Sequence, residues 1–415
     1  MANDLSSLRK TYEELKGLGL SLDIQRGQPA DENFALSHGM LTCVGPEDTV
    51  SPSGLGLCNY PGGLAGIAEA RELFAEVLGI EADETLVGNN SSLKLLSDTL
   101  MWALLRGLRE GEAPWNTEPR KMIVTVPGYD RHFTLLESLG FEMPVVPMTA
   151  EGPDLDAVEA LALDPAVYGM VFVPTYSNPT GDTISPANVA RLAAMPTANP
   201  AFTILADDAY RIHHLSEDRH EPSNLLRACE AAGNPNRVVL LGSTSKVTFA
   251  GAGLGFLGTS RANLKRLTQL MGSEYIGPNK LEQYRHVKFL RAYPNGLEGL
   301  MADHAKMLRP KFDAVARVLE RELGDTGLAR WTDPKGGYFV SLDTTRPVAK
   351  RVVALASEAG VTLTPAGASY PHRLDPGDSN LRIAPTRPPV EEVETGMGAL
   401  ALCVKLASAE FDAGG

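Results

Sequence analysis

The sequence has few cysteines, and none of them lies close enough to another to share a metal. Only four occur in 415 residues, Cys43, Cys58, Cys229 and Cys403, and no CxxC pair is present. This spacing argues against a zinc site or a disulfide scaffold, so we expect no metal site. Reduced thiols are typical of the cytosol, and we therefore expect a cytoplasmic protein.

Long apolar runs and an excess of positive charge are also missing. No run of about 18 apolar residues occurs, which argues against a membrane span. Residues 1–20 lack the apolar core of a signal peptide. The 38 Lys and Arg against 51 Asp and Glu give a net charge of −13. Because an acidic surface repels phosphate backbones, we expect neither nucleic acid nor a membrane as partner.

What is present is the composition of an ordinary globular protein, 43% hydrophobic and 21% charged. At about 100–200 residues per domain, the length predicts two or three units. Short apolar runs alternate with helical or turn-rich stretches, at 122–126, 143–147, 169–174, 202–207 and 237–242. Strands buried on both faces have this pattern, which indicates an α/β fold with a mainly parallel sheet flanked by helices.

Helical patterns are predicted over 5–16, 63–78 and 92–109, and a long helical stretch breaks near Pro294-Asn295-Gly296. Strands and helices then mix in the C-terminal part, which predicts a smaller α+β domain. The predicted division is an N-terminal arm at 1–44 that joins the small domain, a large cofactor-binding domain at 45–305, and a small C-terminal domain at 306–415.

Four polar motifs follow predicted strands or lie within them. They are SNPTG with Asn178, DDAY with Asp207, STSK with Lys246, and NLRIAP with Arg382. Alone, each also suits a turn or a surface ion pair. Side chains at the carboxyl ends of strands face the crevice in which α/β sheets bind ligands. A lysine there is costly as a buried charge, and burial frees its amine to form a Schiff base with an aldehyde.

Taken together, these motifs resemble the class I and II aminotransferases of fold type I, which bind pyridoxal 5'-phosphate. SNPTG, D-x-A-Y, S-x-S-K and the late Arg382 match that family in order and approximate spacing. Segments such as LDIQRGQPA and VPGYDRHF look most like a bacterial branch of aspartate aminotransferases. The resemblance implies a large domain with a mainly parallel seven-stranded sheet, a smaller α+β domain, and a homodimer with active sites at the interface.

The resemblance also implies catalytic roles. Lys246 would hold the cofactor as a Schiff base and then move the proton during transfer. Asp207 would pair with the pyridine nitrogen and keep the ring protonated. Asn178 and Tyr210 would hydrogen-bond the phenolate oxygen of the ring. Arg382 would bind the substrate α-carboxylate by a bidentate pair, with Asn178 beside it.

Further residues fall where the family holds the cofactor. Tyr129 would stack on the ring, and His132 would support Asp207. Gly27 lies in a segment that approaches the substrate in the family. Tyr60 matches a tyrosine that reaches the phosphate of the neighbouring subunit. Backbone donors at a helix start and nearby hydroxyls would hold the phosphate, at Asn90, Ser91, Ser92, Ser243 and Ser245.

Two departures from the family pattern concern charge. Leu254 stands eight residues after Lys246, where the family usually has a phosphate-binding arginine, and Lys280 is our candidate replacement. No arginine near Gly272 is available for the side-chain carboxylate of the substrate. Arg26, next to Gly27, is the predicted substitute. Lys280 and Arg285 are the next candidates.

The segment from Gly253 to Gly258 matches the dinucleotide fingerprint G-x-G-x-x-G. That motif works only between a strand and the start of a helix. Here LGFLGTS itself has the pattern of a strand, so the glycines lie within it and a nicotinamide dehydrogenase is not expected.

The sequence therefore predicts a pyridoxal-phosphate enzyme that moves the amino group of L-aspartate to 2-oxoglutarate, with small-molecule amino acids and 2-oxo acids as partners. An aminotransferase for another amino acid, a β-lyase or a decarboxylase on the same fold uses the same motifs, so these alternatives stay open. A transcription regulator with a degenerate domain of this type needs a basic DNA-binding domain, and none is evident. A cofactor-free binding module would not need the intact set around Lys246.

Overall fold

The computed structural model describes residues 5–60, 62–219 and 221–414. Within these residues the strands are β1 (Leu22–Asp23), β2 (Thr85–Val87), β3 (Lys121–Val126), β4 (Val145–Thr149), β5 (Gly152–Pro153), β6 (Val167–Phe172), β7 (Thr203–Asp207), β8 (Val238–Ser243), β9 (Gly255–Thr259), β10 (Ala329–Trp331), β11 (Val340–Thr344), β12 (Val361–Thr362) and β13 (Asn380–Ile383). The α-helices are α1 (Leu5–Gly17), α2 (Asp31–Ala35), α3 (Ala68–Leu78), α4 (Ser92–Arg106), α5 (Asp130–Ser138), α6 (Leu155–Ala162), α7 (Pro186–Ala194), α8 (Leu225–Ala231), α9 (Arg261–Met271), α10 (Lys280–Ala292), α11 (Gly296–Leu323), α12 (Ala349–Glu358) and α13 (Val390–Gly414).

The central sheet has the strand order β2-β9-β8-β7-β6-β3-β4-β5. Strands β8, β7, β6, β3 and β4 run parallel, while β9, β2 and β5 pair antiparallel with their neighbours. The five apolar runs of the sequence are the five parallel strands, which confirms the predicted mainly parallel sheet. Seven strands of this sheet have three or more residues, in agreement with the predicted seven. The eighth, β5, has two residues and lies at one edge.

Alternate residues of each central strand enter different cores, because successive side chains point to opposite faces of a sheet. In β7, Ile204 and Ala206 belong to one cluster of buried side chains, while Leu205 belongs to the cluster on the other face. All residues of β7 and β8 are buried. Helices therefore cover both faces of this sheet, and only its ends are open to ligands.

A third cluster of buried side chains lies around the small antiparallel sheet β10-β11-β13 and helices α12 and α13. Helix α1 contributes Leu8 and Tyr12 to it, and β1 pairs with β12. Helix α11 runs between the cores: Met301 packs with the central sheet, and Leu308 packs with the small one. The predicted domain division at residue 305 falls in this helix and stays a prediction.

Two helix ends differ from those predicted. Helix α3 begins at Ala68 and not at Gly63, because Gly63 and Gly66 have φ values of +71° and +99°, outside the right-handed helical region. Helix α4 ends at Arg106, before the predicted end at residue 109, and Gly107 there has a φ of +70°. The predicted break between α10 and α11 is confirmed, and Asn295 has a φ of +59° there.

The glycines of the G-x-G-x-x-G match lie in or just before β9, as predicted from the pattern of LGFLGTS. No helix follows the first glycine, so the match has none of the geometry of a dinucleotide site. Within the described ranges, no helix is both long and apolar enough to span a membrane.

Candidate active site

A cavity of about 700 Å³ opens at the carboxyl ends of the parallel strands. The loops after β3, β6, β7 and β8 supply one wall, and the N-terminal segment and the C-terminal part of the chain supply the other. Of the residues predicted from the sequence, the lining includes Arg26, Gly27, Tyr129, Asn178, Tyr210, Lys246 and Arg382. These positions are distant in sequence, and the fold brings them together.

Lys246 presents its amine to the cavity above two aromatic rings. Its Nζ lies 5.0 Å from the ring centre of Tyr210 and 5.9 Å from that of Tyr338. The Tyr338 hydroxyl donates a hydrogen bond to the backbone carbonyl of Lys246 at 3.4 Å. The amine therefore lies in the cavity, where the aldehyde of a bound ligand could reach it.

The turn that carries Lys246 is anchored by two buried histidines that the sequence did not point to. His286 Nε2 lies 3.2 Å from Thr244 Oγ1 and 2.9 Å from Thr248 Oγ1. His304 Nε2 donates to the carbonyl of Val247 at 2.9 Å. These contacts fix the backbone on both sides of the lysine, so its amine is held by the fold and not by a mobile loop.

Asp207 is 2% exposed and ends strand β7 at the base of the site. Its Oδ2 accepts a hydrogen bond from His132 Nε2 at 2.9 Å, while its Oδ1 has no partner in the part of the chain that the structure describes. A buried carboxylate oxygen without a donor is costly. A protonated ring nitrogen of a cofactor would satisfy it. Tyr129 lines the cavity, and its ring meets that of His132 edge-on at 5.0 Å.

Asp208 has a different environment from its neighbour. Its Oδ2 accepts from Arg211 Nη1 at 2.9 Å, and Arg211 Nε donates to the carbonyl of Val77. Burial raises the pKa of the Asp208 carboxyl, and Arg211 opposes that shift. Its Oδ1, like that of Asp207, has no partner among the described residues, and neither aspartate is among the cavity-lining residues.

Asn178 and Tyr210 lie side by side on two different loops and both line the cavity. Burial, followed by the charge of Asp207, raises the pKa of the Tyr210 hydroxyl, and Arg382 and Asn178 oppose that shift. A raised pKa keeps the phenol protonated at neutral pH, so it can donate a hydrogen bond to an anionic oxygen. Burial likewise raises the pKa of Tyr129 to about 12.

The predicted phosphate-binding residues meet at the start of helix α4. Ser243 Oγ lies 2.7 Å from Ser245 Oγ, and Ser245 Oγ donates to Asn90 Oδ1 at 3.3 Å. Helix α4 begins at Ser92, as predicted, and Ser91 precedes it in an extended conformation without capping the helix through its side chain. Free backbone N–H groups and three side chains therefore converge where a phosphate could bind.

Position 254 supplies no arginine to this predicted phosphate site. Leu254 is 1% exposed and packs in a hydrophobic core, while its backbone N–H donates to Thr244 Oγ1 at 2.8 Å. The candidate replacement, Lys280, donates to the carbonyls of Gly56 at 3.1 Å and Asn59 at 2.8 Å. Its ammonium thus binds the loop before Tyr60, and its role toward phosphate stays a prediction.

Arg382 is held over the ring of Phe339, with its guanidinium carbon 5.1 Å from the ring centre. Its Nη1 donates to Asp130 Oδ1 at 2.8 Å and faces Asn178 Oδ1 at 3.4 Å. Gly27 lies against the same ring: a Cβ there would come within 2.4 Å of Phe339 Cζ, so only glycine fits.

Ten predicted residues are not among those that line the cavity: Asn90, Ser91, Ser92, His132, Asp207, Ser243, Ser245, Tyr60, Lys280 and Arg285. Tyr60 is 72% exposed, Lys280 binds loop carbonyls, and Arg285 forms an ion pair with Glu282 on its own helix. Arg285, a further candidate after Arg26, does not line the cavity, and its role toward the substrate stays a prediction. The lining holds two other arginines that the sequence did not single out, Arg131 and Arg373.

The side chains present fit pyridoxal phosphate. The unpartnered Oδ1 of Asp207 suits a pyridinium N–H, and the Lys246 amine suits an aldehyde. The start of helix α4 suits a phosphate, and the Tyr210 hydroxyl suits the ring oxygen. Each group of the cofactor therefore has a complementary atom among the predicted site residues.

Comparisons with known proteins agree with this chemistry. Residues 1–415 match the sequence model of the family described as aspartate amino-transferase. The aspartate aminotransferase of Corynebacterium glutamicum is 44% identical over 404 residues, covering 97% of this chain and 93% of that protein. The crystal structure of an aspartate transaminase from C. glutamicum has a TM-score of 0.95 at 43% identity and covers 98% of this chain and 96% of its own.

A more distant structure carries a cofactor derivative. The α-aminoadipate aminotransferase of Thermus thermophilus, complexed with N-(5'-phosphopyridoxyl)-L-leucine, has a TM-score of 0.77 at 25% identity. The match covers 94% of this chain and 93% of that one. The same architecture therefore holds a phosphopyridoxyl amino acid in that protein.

Proposed function

The chain belongs to the aspartate amino-transferase family, whose members are pyridoxal-phosphate-dependent, and we propose that it moves the amino group of L-aspartate to 2-oxoglutarate. That it is an aminotransferase follows from the family; the donor and the acceptor are the proposal. The name of the C. glutamicum relative supports aspartate as the donor. Pyridoxal phosphate supplies an aldehyde that accepts the amino group and a ring that withdraws electrons from the Cα–H bond.

The observation that carries the choice of a dicarboxylic substrate is the charge of the cavity. Besides Arg382, its lining contains Arg26, Arg131 and Arg373. None of these three side chains has a hydrogen bond or an ion pair among the described residues. Since the chain as a whole is acidic, unpaired cations collected in one cavity favour a ligand with a second carboxylate.

We propose the following roles for the residues of the chain. Lys246 would hold the cofactor through its amine and, once the substrate amine had displaced it, would carry the proton between its Nζ and the substrate Cα. Asp207, held by His132, keeps a proton on the ring nitrogen. Tyr210 and Asn178 orient the ring oxygen.

Substrate and phosphate contacts complete the proposed site. Arg382 binds the α-carboxylate common to donor and acceptor, and Gly27 leaves room beside it. Asn90, Ser91, Ser92, Ser243 and Ser245 hold the phosphate, and Tyr129 stacks on the ring. The high exposure of Tyr60 supports its proposed use by a second subunit, in a homodimer with active sites at the interface.

A screen of amino donors against 2-oxoglutarate tests the proposed pair. The donors are L-aspartate, L-glutamate, L-alanine and L-2-aminoadipate, each measured as kcat/KM with the purified holoenzyme. We expect aspartate to exceed alanine by at least about tenfold, because a hydrogen bond to a charged group contributes ~1.5–3 kcal/mol. A higher value for alanine would contradict the proposal and favour an aminotransferase for another amino acid.

Arg26 is the predicted ligand of the side-chain carboxylate. Replacing it by alanine (Arg26→Ala) should lower kcat/KM for aspartate by about 10- to 100-fold, the effect of losing a charged hydrogen-bond donor. Alanine has no second carboxylate, so its kcat/KM should change much less. The measured quantity is the aspartate-to-alanine ratio in wild type and variant.

Arg131→Ala and Arg373→Ala are the matched controls for Arg26, since both side chains line the same cavity without a partner in the described chain. An unchanged ratio in Arg26→Ala, together with a reduced ratio in either control, would transfer the role to that arginine.

A further inference from the structure

The arginine that is proposed to bind the substrate α-carboxylate already holds a carboxylate of the protein. Arg382 Nη1 donates to Asp130 Oδ1 at 2.8 Å. The Arg382 side chain is only 9% exposed, whereas that of Asp130 is 36% exposed. Asp130 directly follows Tyr129 and is the first residue of helix α5, so the same short segment carries the ring-stacking residue and this carboxylate.

The contacts of the guanidinium leave one of its edges available. Nη1 is shared between Asp130 and Asn178, and Nε faces Thr364 Oγ1 at 3.4 Å. Nη2 has no hydrogen bond to any residue that the structure describes. Asp130 therefore makes a one-oxygen contact, while a free carboxylate that also reaches Nη2 makes the stronger bidentate pair.

We propose that Asp130 is an internal substitute for the substrate α-carboxylate. It pairs with Arg382 and holds the guanidinium over Phe339 while no substrate is bound, and it leaves when an amino acid or a 2-oxo acid binds. A nearly buried arginine without a counter-charge is costly, so the pair stabilises the empty site. The proposal rests on the proposed role of Arg382 as the α-carboxylate site.

The position of Asp130 allows this exchange. Its side chain is more than one-third exposed, so the displaced carboxylate can be hydrated without leaving the surface of the cavity. Because every donor and every acceptor carries an α-carboxylate, the competition lowers the affinity for all of them by the same factor. Asp130 thus determines how tightly carboxylates bind in general, whereas Arg26 is proposed to determine which ones bind.

The test is the affinity of the holoenzyme for two ligands that cannot react, succinate and propionate, measured by calorimetry. In Asp130→Asn the amide no longer competes as a charge, and we expect both ligands to bind about fivefold more tightly. At 1.4 kcal/mol per tenfold this is ~1 kcal/mol, the value of a partly exposed ion pair. Asp130→Ser should also bind both ligands more tightly than wild type. It replaces the asparagine variant in the test if that variant does not fold.

Glu137→Gln is the matched control, because Glu137 is a carboxylate of the same cavity that pairs with His372 and not with Arg382. It should change both affinities by less than about twofold, since only a screened charge is removed. The Arg382→Ala variant supplies the second control. In that background, Asp130→Asn should give no gain, because the group for which Asp130 competes is gone.

Unchanged or weaker binding in both Asp130 variants would overturn the proposal, and so would an equal gain in Glu137→Gln. If the Arg382→Ala variant binds succinate and propionate as tightly as wild type does, both the proposal and the proposed role of Arg382 are refuted. A different result would contradict the proposed dicarboxylic substrate. Wild type would then bind succinate no more tightly than propionate, while the Asp130 variants would still bind both ligands more tightly than wild type.

Discussion

Lys246→Ala is expected to lower kcat by at least roughly 10³-fold, the largest loss of any single substitution in this protein. The variant would lose both the proposed covalent attachment of the cofactor and the proposed base that moves the proton, and general acid–base catalysis alone contributes about 10²- to 10⁴-fold. The cofactor should still bind, because the proposed phosphate and ring contacts around Asn90, Ser243 and Asp207 do not involve the amine. The measurements are kcat with the proposed substrates and cofactor content after dialysis.

The control for this prediction is Lys265→Ala, which removes an exposed lysine of helix α9 outside the cavity. Its kcat should equal that of wild type. Borohydride reduction of the native holoenzyme, followed by peptide mapping, should find the cofactor on the peptide that contains Lys246. A cofactor fixed to another lysine would contradict the assignment.

Asp207→Asn is expected to have the second-largest effect, a fall in kcat of about 10²- to 10³-fold. An asparagine is nearly the same size but carries no charge, so it cannot keep the ring nitrogen protonated, and the ring then withdraws electrons poorly. His132 would still contact the side chain, so the fold should survive. The fall should appear in kcat rather than in the KM of either substrate, because the electron demand arises only in the transition state.

Asp208→Asn is the matched control, since the two aspartates are adjacent and both are buried. Asp208 pairs with Arg211, whereas Asp207 contacts His132, so the Asp208 variant should lose stability more than activity. Thermal unfolding and kcat together separate the two effects. Equal losses of kcat in two folded variants would refute the choice between the neighbouring aspartates.

The sequence predicted those parts of the site that follow directly from buried strands. The runs FTILAD and RVVLLG are apolar throughout, which is typical of parallel strands, and Asp207 and Lys246 occur at or just after their carboxyl ends. The order of loops in a parallel sheet then places these residues on one edge. Resemblance to a family added their roles, because no single motif is specific.

The parts that could not be predicted depend on contacts between distant positions. Asp130 and Arg382 are 252 residues apart, and Asn33, which hydrogen-bonds to His304, is 271 residues from it. Neither pair leaves a local pattern, since each partner alone looks like an ordinary polar residue. Helix α3 shows a second limit: the apolar spacing continues back to Gly63, but the backbone there has a positive φ, which composition alone does not reveal.

The transfer of a labelled amino group tests the account most directly. The purified holoenzyme is given L-aspartate labelled with ¹⁵N at the amino group, together with unlabelled 2-oxoglutarate, and the products are analysed by mass spectrometry. We predict glutamate that carries the label, oxaloacetate in equal amount, and no labelled ammonia, because both substrates are proposed to bind in turn at the cavity that Lys246 and Arg382 line. Labelled ammonia, or labelled alanine formed with loss of carbon dioxide, without labelled glutamate would contradict the account.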